Sequence, residues 1–233
     1  MIRYALALLL LPLPAAAQTF GLPQGCTAYV TIQSRGCTVT HLFTCEGDPA
    51  GHQRRAVLGE EGLQYVGVID AETQWIESWH VEAESTDRLL PDPVDPASFS
   101  DLIATGRDTF DFSTLSDDTW ITIFRGQDEL TGETVVIDGV TLERTAFAVV
   151  ATDPDGTEVW RVTGSEFIHR DWRTFLSGTR TTVNSTGTFD SDGTPMEFIF
   201  PGEEGFLSSS PRHDCGALMS MADLAAPLAP ERN

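Results

Sequence analysis

Lysine is absent from the 233-residue chain, and basic residues of any kind are few. Without lysine the chain cannot form a lysine Schiff base, use a Ser-x-x-Lys nucleophile or place a lysine in a phosphate-binding loop. The formal net charge is −21, from 14 basic against 35 acidic residues. A field of this sign repels phosphate groups, so no nucleic acid partner is predicted and anionic lipid surfaces are disfavoured.

Long apolar segments are also scarce. The longest is N-terminal, where Arg3 precedes the apolar run Ala5–Leu13 and small residues follow up to Ala17. This layout is typical of a cleavable secretory signal, and the run is too short for the ~20 residues that a membrane helix needs. We therefore predict a signal peptide over residues 1–17, cleaved near Ala17, and a periplasmic or secreted mature chain with no transmembrane segment. The alternative is an uncleaved interfacial anchor.

Cysteine occurs four times, and neither Cys-x-x-Cys nor His-Glu-x-x-His is present. Local ligand pairs of this kind are typical of metal sites, so we predict no metal and no other cofactor. In an exported chain, four cysteines indicate two disulfides. The residues concerned are Cys26, Cys37, Cys45 and Cys215.

The pairing of these cysteines depends on the register of an N-terminal hairpin. Two strand-like segments flank Arg35-Gly36, which predicts a two-residue turn with Ser34 opposite Cys37. The same register places Cys26 opposite Cys45, whereas Cys37 and Cys45 would lie ~26 Å apart on one strand. We predict Cys26–Cys45 and Cys37–Cys215. A change of one residue in the loop would shift the register, so the other two pairings stay open.

The rest of the chain has the composition of antiparallel strands separated by polar turns. Asp-Gly sequences near Asp138, Asp153 and Asp190 predict tight hairpins between sequence neighbours. Further strands are predicted to begin at Arg54, Leu63, Gln74, Asp108, Thr119, Glu133, Val140, Thr157, Thr174 and Pro195. The predicted fold is mainly β, with one large antiparallel sheet arranged as a half-barrel, a barrel or a sandwich.

One short helix is predicted near residues 95–105. Asp95 is suited to the N-cap, Pro96 to the first turn and Gly106 to the C-terminal end, with apolar residues at helical spacing between them. We predict a single β-rich domain over residues 18–223, followed by a disordered tail over residues 224–233.

The strongest candidate site lies on a predicted strand from Gln74 to Ala83. Strand alternation places Trp75, Glu77 and Trp79 on one face, so the indoles could stack on a sugar or acyl group while Glu77 accepts hydrogen bonds. The structural alternative is that the tryptophans belong to the core and that Glu77 is paired with an arginine. No catalytic residue is predicted, because no motif for nucleophilic or metal-assisted chemistry is found.

Three functional hypotheses remain. The favoured one is a non-enzymatic binding or carrier module of the cell envelope, whose curved sheet holds a small molecule or an amphipathic lipid-like ligand. The second is an extracytoplasmic hydrolase that uses Glu77 with His80 or His169. The third is a structural or partner-binding protein whose sheet edge adds to another chain.

Overall fold

The structure is a computed structural model and describes residues 19–216. The predicted signal peptide and the predicted tail lie outside these residues. The elements, in chain order, are β1 (Cys26–Ser34), β2 (Thr38–Cys45), β3 (Gln53–Gly59), β4 (Gly62–Ile69), β5 (Trp75–His80), β6 (Ser85–Leu89), α1 (Phe99–Thr105), β7 (Arg107–Ser116), β8 (Trp120–Ile137), β9 (Val140–Thr152), β10 (Glu158–His169), β11 (Thr174–Leu176), β12 (Thr179–Asn184), β13 (Gly187–Asp192) and β14 (Pro195–Ile199).

All the strands belong to one antiparallel sheet, in the order β13-β12-β10-β9-β8-β7-β6-β5-β4-β3-β2-β1-β14, with β11 paired to β10. The sheet is not closed into a barrel. The prediction of a mainly β fold with one large antiparallel sheet is therefore confirmed, and a closed barrel is ruled out. Strands β13 and β14 are consecutive in sequence but lie at opposite edges of the sheet.

The Asp-Gly turns have different outcomes. The hairpin at Asp138-Gly139 is present, with both residues at positive φ and Ile137 paired with Val140. The predicted hairpin at Asp190 is wrong, because Asp190 lies within β13 and the strand that follows, β14, lies at the opposite edge of the sheet instead of pairing with β13. The chain reverses earlier, where Asn184 Oδ1 accepts hydrogen bonds from the Thr186 and Gly187 N–H groups and so fixes a two-residue turn between β12 and β13.

The N-terminal hairpin has a loop one residue longer than predicted. Ser34 pairs with Thr38, so the loop contains Arg35, Gly36 and Cys37. A β-bulge at Tyr29 then shifts the register back, and Cys26 faces Cys45 after all. The longer loop and the bulge shift the register by one residue in opposite directions. The predicted cysteine pairing is therefore correct although the predicted turn is not.

Both predicted disulfides are present. Cys26 and Cys45 are bonded with their Cα atoms 4.0 Å apart, and Cys37 is bonded to Cys215 with a Cα separation of 4.7 Å. The second bond fixes the C-terminal segment 206–216, which we call the terminal strap. Within the strap, the Leu207 N–H donates to Thr31 Oγ1 at 2.9 Å, and His213 O accepts from the Cys37 N–H at 2.8 Å.

The helix begins later than predicted. Its N-cap is Ser98, whose side chain accepts a hydrogen bond from the Asp101 N–H, whereas Asp95 is extended and pairs with Asp111. The Asp108 carboxylate accepts the Ser98 N–H at 2.9 Å, which anchors the start of α1 to β7. Gly106 ends the helix in the left-handed conformation, as predicted.

The sheet is rolled so that its first and last parts meet. Arg55 of β3 donates hydrogen bonds to Thr174 Oγ1 and Phe175 O of β11. Arg173 donates to Ala71 O, in the loop between β4 and β5. The apolar core between these parts contains Val30, Ile32, Leu42, Val140, Leu142, Phe167, Leu176 and Phe198. Within the described part of the chain, no helix has the length and apolar character needed to cross a membrane.

Candidate functional site

Five aromatic side chains form a continuous cluster across β5, β7, β8 and β10. We call Trp75, Phe110, Phe112, Phe124 and Trp160 the aromatic cluster. The Phe112 and Phe124 rings are stacked with centroids 5.2 Å apart, and Trp75 meets both rings edge-on at 5.3 and 5.4 Å. Trp160 contacts Phe124 from β10 at 5.8 Å. The cluster holds together because Phe112 and Phe124 are paired across β7 and β8 and so point to the same side.

A β-bulge separates the three residues that the sequence placed on one face. Trp79 lies opposite Val66 and Glu77 lies opposite Val68, but the register then shifts and Trp75 lies opposite Ile69. Neighbouring residues of a strand point to opposite faces, so Trp75 projects away from the side that carries Glu77 and Trp79. The expected common face is therefore wrong, and only Trp75 joins the aromatic cluster.

The two tryptophans are nevertheless exposed to a similar extent. Trp75 keeps 42% of its accessible surface and Trp79 keeps 45%, so neither is a core residue. Glu77 is exposed and lies opposite Arg88 across β5 and β6. The structure thus offers two separate indole surfaces on the two sides of β5.

Three acidic residues lie beside the aromatic cluster, on the same side of the sheet; we call Asp108, Asp128 and Glu166 the acidic row. Asp108 is directly opposite Asp128 across β7 and β8. Asp108 follows the same alternation as Phe110 and Phe112, which places the three side chains on one face. The acidic row lies between the aromatic cluster and α1, because Leu130, two residues after Asp128, packs against the helix.

Burial controls the protonation of this row. Burial and nearby acids raise the pKa of Asp108 to about 6, although the hydrogen bond from the Ser98 N–H opposes the shift. Burial, and then the charges of Glu166 and Asp108, raise the pKa of Asp128 to about 8. Burial also raises the pKa of Glu166, against the opposing effect of Arg55 and Arg180. Asp128 is therefore mostly protonated at neutral pH and can donate a hydrogen bond.

Asp128 and Glu166 also lack partners. Neither carboxyl group has a hydrogen bond to the part of the chain that the structure describes. Both side chains keep some accessible surface although protein atoms surround them, which is typical of groups on a concave surface. They can consequently bind a molecule that enters this side of the sheet.

A polar network occupies the same side of β4 to β7. His80 Nε2 lies 3.0 Å from Asp87 Oδ2, and the Ser116 hydroxyl donates to the other oxygen of Asp87. Burial alone would raise the pKa of Asp87, but the hydrogen bonds from His80 and Ser116 hold it below its usual value. Ser116 contacts the carboxylate and not the imidazole, so His80 does not activate it as a nucleophile.

The residues suggested for hydrolysis do not converge. Glu77 and His80 are separated by three positions on a strand, on opposite faces, and His80 is paired with Asp87. His169 lies at the end of β10, where its ring stacks on Trp172 with centroids 3.8 Å apart. A hydrolase built on Glu77 with either histidine is not supported by this arrangement.

Two concave regions of residues 19–216 lie away from the aromatic cluster. One, beside Arg55 and Gly67, has no room for a water molecule. The other is an open groove of about 580 Å³ lined by β10, β12 and β13, with Gly36 and Asp214 beside them. Cys37, Cys215 and Glu60 also come together, but both sulfurs are in a disulfide and cannot act as thiolate metal ligands.

The acidic row was not identified from the sequence. The sequence did contain a signal for it. Asp108, Phe110 and Phe112 stand at every second position along β7, and Phe124 and Asp128 follow the same alternation along β8, so each set lies on one face of its strand. No family model matches this chain, and neither curated proteins nor solved structures give a significant match.

Proposed function

We propose that this is a non-enzymatic binding protein of the cell envelope or the exterior, which holds a small amphipathic ligand against the aromatic cluster. The two disulfides are compatible with an oxidising compartment. A cleaved signal peptide over residues 1–17 and a periplasmic or secreted location belong to the same proposal.

The observation that carries this proposal is the position of Trp75. Its ring packs edge-on against two buried phenylalanines, yet 42% of the residue is exposed. An indole in this setting extends the apolar cluster to the solvent and presents a flat surface for an apolar or sugar-like group.

The acidic row defines the polar part of the ligand. The partly accessible Asp128 and Glu166 have no hydrogen-bond partners among residues 19–216, and the chain has a large negative charge. These features favour a ligand whose polar group is neutral or cationic, such as hydroxyls or an amine, and disfavour a carboxylate or a phosphate. A carboxyl group that is protonated at neutral pH can donate to a hydroxyl, and an ionised one can accept from it.

The first experiment is native mass spectrometry of protein purified from its own envelope fraction, which would detect a retained small molecule. Binding is then measured by tryptophan fluorescence with three twelve-carbon probes: dodecyl maltoside, dodecylamine and dodecanoate. We expect the neutral and the cationic probe to bind more tightly than the anionic one.

Trp79 provides a matched control, because it lies on the same strand with similar exposure but on the opposite face. Trp75→Ala should weaken probe binding by roughly tenfold, which corresponds to an aromatic contact of about 1.4 kcal/mol. Trp79→Ala should leave binding unchanged. Equal effects of the two substitutions, or no binding of any probe and no retained molecule, would remove the basis of the proposal.

A second candidate is a hydrolase that uses Asp128 as a general acid. This candidate is favoured by the raised pKa of Asp128, because a carboxyl group that is protonated at neutral pH can donate a proton. The proximity of Glu166, a second carboxyl group, also favours it. Hydrolysis of neutral glycosides or esters by the wild type that is lost in both Asp128→Asn and Glu166→Gln would support an enzyme. Retention of intact ligand over hours would support a carrier.

A further inference from the structure

The two edge strands of the sheet, β14 and β13, differ in how far their outer backbone groups are blocked. At one edge, β14 begins with Pro195, and its Phe198 N–H donates to Asp138 Oδ2 at 2.9 Å. At the other edge, β13 pairs with β12 through six consecutive residue pairs without a bulge. Among residues 19–216, nothing is paired with the outer side of β13.

The turn determines which groups of β13 point outwards. The two-residue turn places Asn184 opposite Gly187, and such a flanking pair exchanges hydrogen bonds. Because hydrogen-bonded pairs alternate along an antiparallel ladder, the N–H and C=O groups of Thr188, Asp190 and Asp192 point away from β12. The turn at Gly36 approaches Asp192, since a Cβ added to this glycine would lie 3.1 Å from Asp192 O. Thr188 and Asp190 are thus the open part of the edge.

The side chains beside this edge are acidic. Asp190 accepts a hydrogen bond from the Thr181 hydroxyl, but no arginine of the described chain lies within 4.0 Å of its carboxylate. The groove of about 580 Å³ opens beside the edge and is lined by Asp190, Asp192 and Asp214. Arg35 lies 3.7 Å from the carboxylate of Asp192 and 3.5 Å from that of Asp214, so Asp190 is the acid of this set without an ion pair among residues 19–216. In the same groove, Arg180 donates to Ser191 Oγ.

We propose that the free edge of β13 binds an extended basic segment of another protein by β-strand addition. The backbone of the segment pairs with Thr188 and Asp190, and its basic side chains, at alternate positions, contact Asp190 and Asp192. Charge decides against a second copy of this chain, because pairing β13 with itself would bring aspartates together. The edge is distinct from the aromatic cluster, so this inference does not depend on the ligand-binding proposal.

The test uses the full chain with two synthetic peptides, one with arginine at alternate positions between valine and threonine, and one with glutamate in place of arginine. Hydrogen exchange followed by NMR should show the Thr188 and Asp190 amides exposed in the free protein and protected by the basic peptide only. Protection of these amides in the free protein, or equal binding of the two peptides, would overturn the proposal.

Substitutions separate backbone pairing from charge. Asp190→Pro removes the carboxylate together with an outward N–H and leaves the backbone ladder with β12 intact, so it should preserve the unfolding temperature and weaken binding of the basic peptide by roughly tenfold. The loss beyond that of Asp190→Asn measures the contribution of backbone pairing. Asp190→Asn and Asp192→Asn should each weaken it by about two- to fivefold. Glu82→Gln, an exposed acid on another loop, is the control and should have no effect. If Asp190→Pro fails to fold, the asparagine variants decide, and unchanged binding in both contradicts the proposal.

Discussion

His41 should make the protein sensitive to acid. It is fully buried, and its ring stacks on Phe20 beneath the terminal strap, with centroids 4.8 Å apart. Thr31 Oγ1 accepts the Leu207 N–H and shares a second hydrogen bond with His41 Nδ1 at 3.0 Å. Nε2 is buried without a partner among the described residues. A protonated ring would bury an uncompensated charge.

The magnitude follows from the pKa. Burial lowers the pKa of His41 from its ordinary value of 6.5 to about 4. A lowered pKa means that the folded state prefers the neutral ring, so this contribution to stability is complete above pH 6.5 and is lost as the pH falls towards 4. Between about pH 7.5 and about pH 4.5, the linkage relation gives a loss of roughly 2.5 kcal/mol in the free energy of unfolding.

The assay is urea-induced unfolding of the wild type and of His41→Gln at these two pH values. Other acid-sensitive groups affect both proteins and cancel in the double difference. His41→Gln should therefore lose about 2.5 kcal/mol less than the wild type on acidification. His52→Gln, which removes a partly exposed histidine from a loop, should keep the wild-type pH dependence. If the wild type and His41→Gln lose the same free energy, the burial of a neutral imidazole is not what limits stability in acid.

Three further outcomes are expected. The raised pKa of Asp128 means that stability is lost as the pH rises from about 4 towards 8. Between pH 5 and pH 8, the free energy of unfolding of Asp128→Asn should therefore rise by about 1–3 kcal/mol relative to that of the wild type, measured by chemical denaturation. Glu129→Gln, on the other face, should show no such change. Replacing both cysteines of Cys37–Cys215 by serine should cost about 5 kcal/mol, against about 3 kcal/mol for Cys26–Cys45, because the first bond closes a much longer loop; equal losses would contradict this reasoning. Gly164→Ala should cost about 3 kcal/mol in thermal unfolding, since its Cβ would lie 2.1 Å from a backbone oxygen, while Gly47→Ala, with nothing within 4 Å, should change stability by less than about 0.5 kcal/mol.

The strands and the disulfides could be predicted because they depend on local signals. Alternating β-branched and aromatic residues mark most of the strands, and the predicted export of the chain indicates paired cysteines. The cysteine register was correct only because a bulge at Tyr29 offsets a longer loop. The bulge has no sequence marker of this kind. In the structure, the bulged Tyr29 donates its hydroxyl proton to Gln53 Oε1 of β3 at 2.6 Å.

The candidate site could be predicted only in part. Trp75 was identified, but the bulge before Glu77 removed the expected partners and directed its ring at the aromatic cluster. The acidic row could not be predicted, because Asp108, Asp128 and Glu166 lie on three different strands. Only the order of the strands in the sheet brings them to one side. The N-cap is Ser98 and not the predicted Asp95, because a backbone pairing with β7 holds Asp95 extended. Local propensity could not indicate this pairing.

The pairing of β1 with β14 has a consequence for the order of events during synthesis. The first strand to leave the ribosome finds one of its two neighbours only when the last strand arrives, so its outer edge stays open while most of the chain is made. Throughout that interval Cys37 has only Cys26 and Cys45 within reach, since Cys215 comes 178 residues later. Cys37 reaches its final bond if Cys26 and Cys45 pair with each other first, if oxidation is delayed, or if an isomerase rearranges a wrong bond.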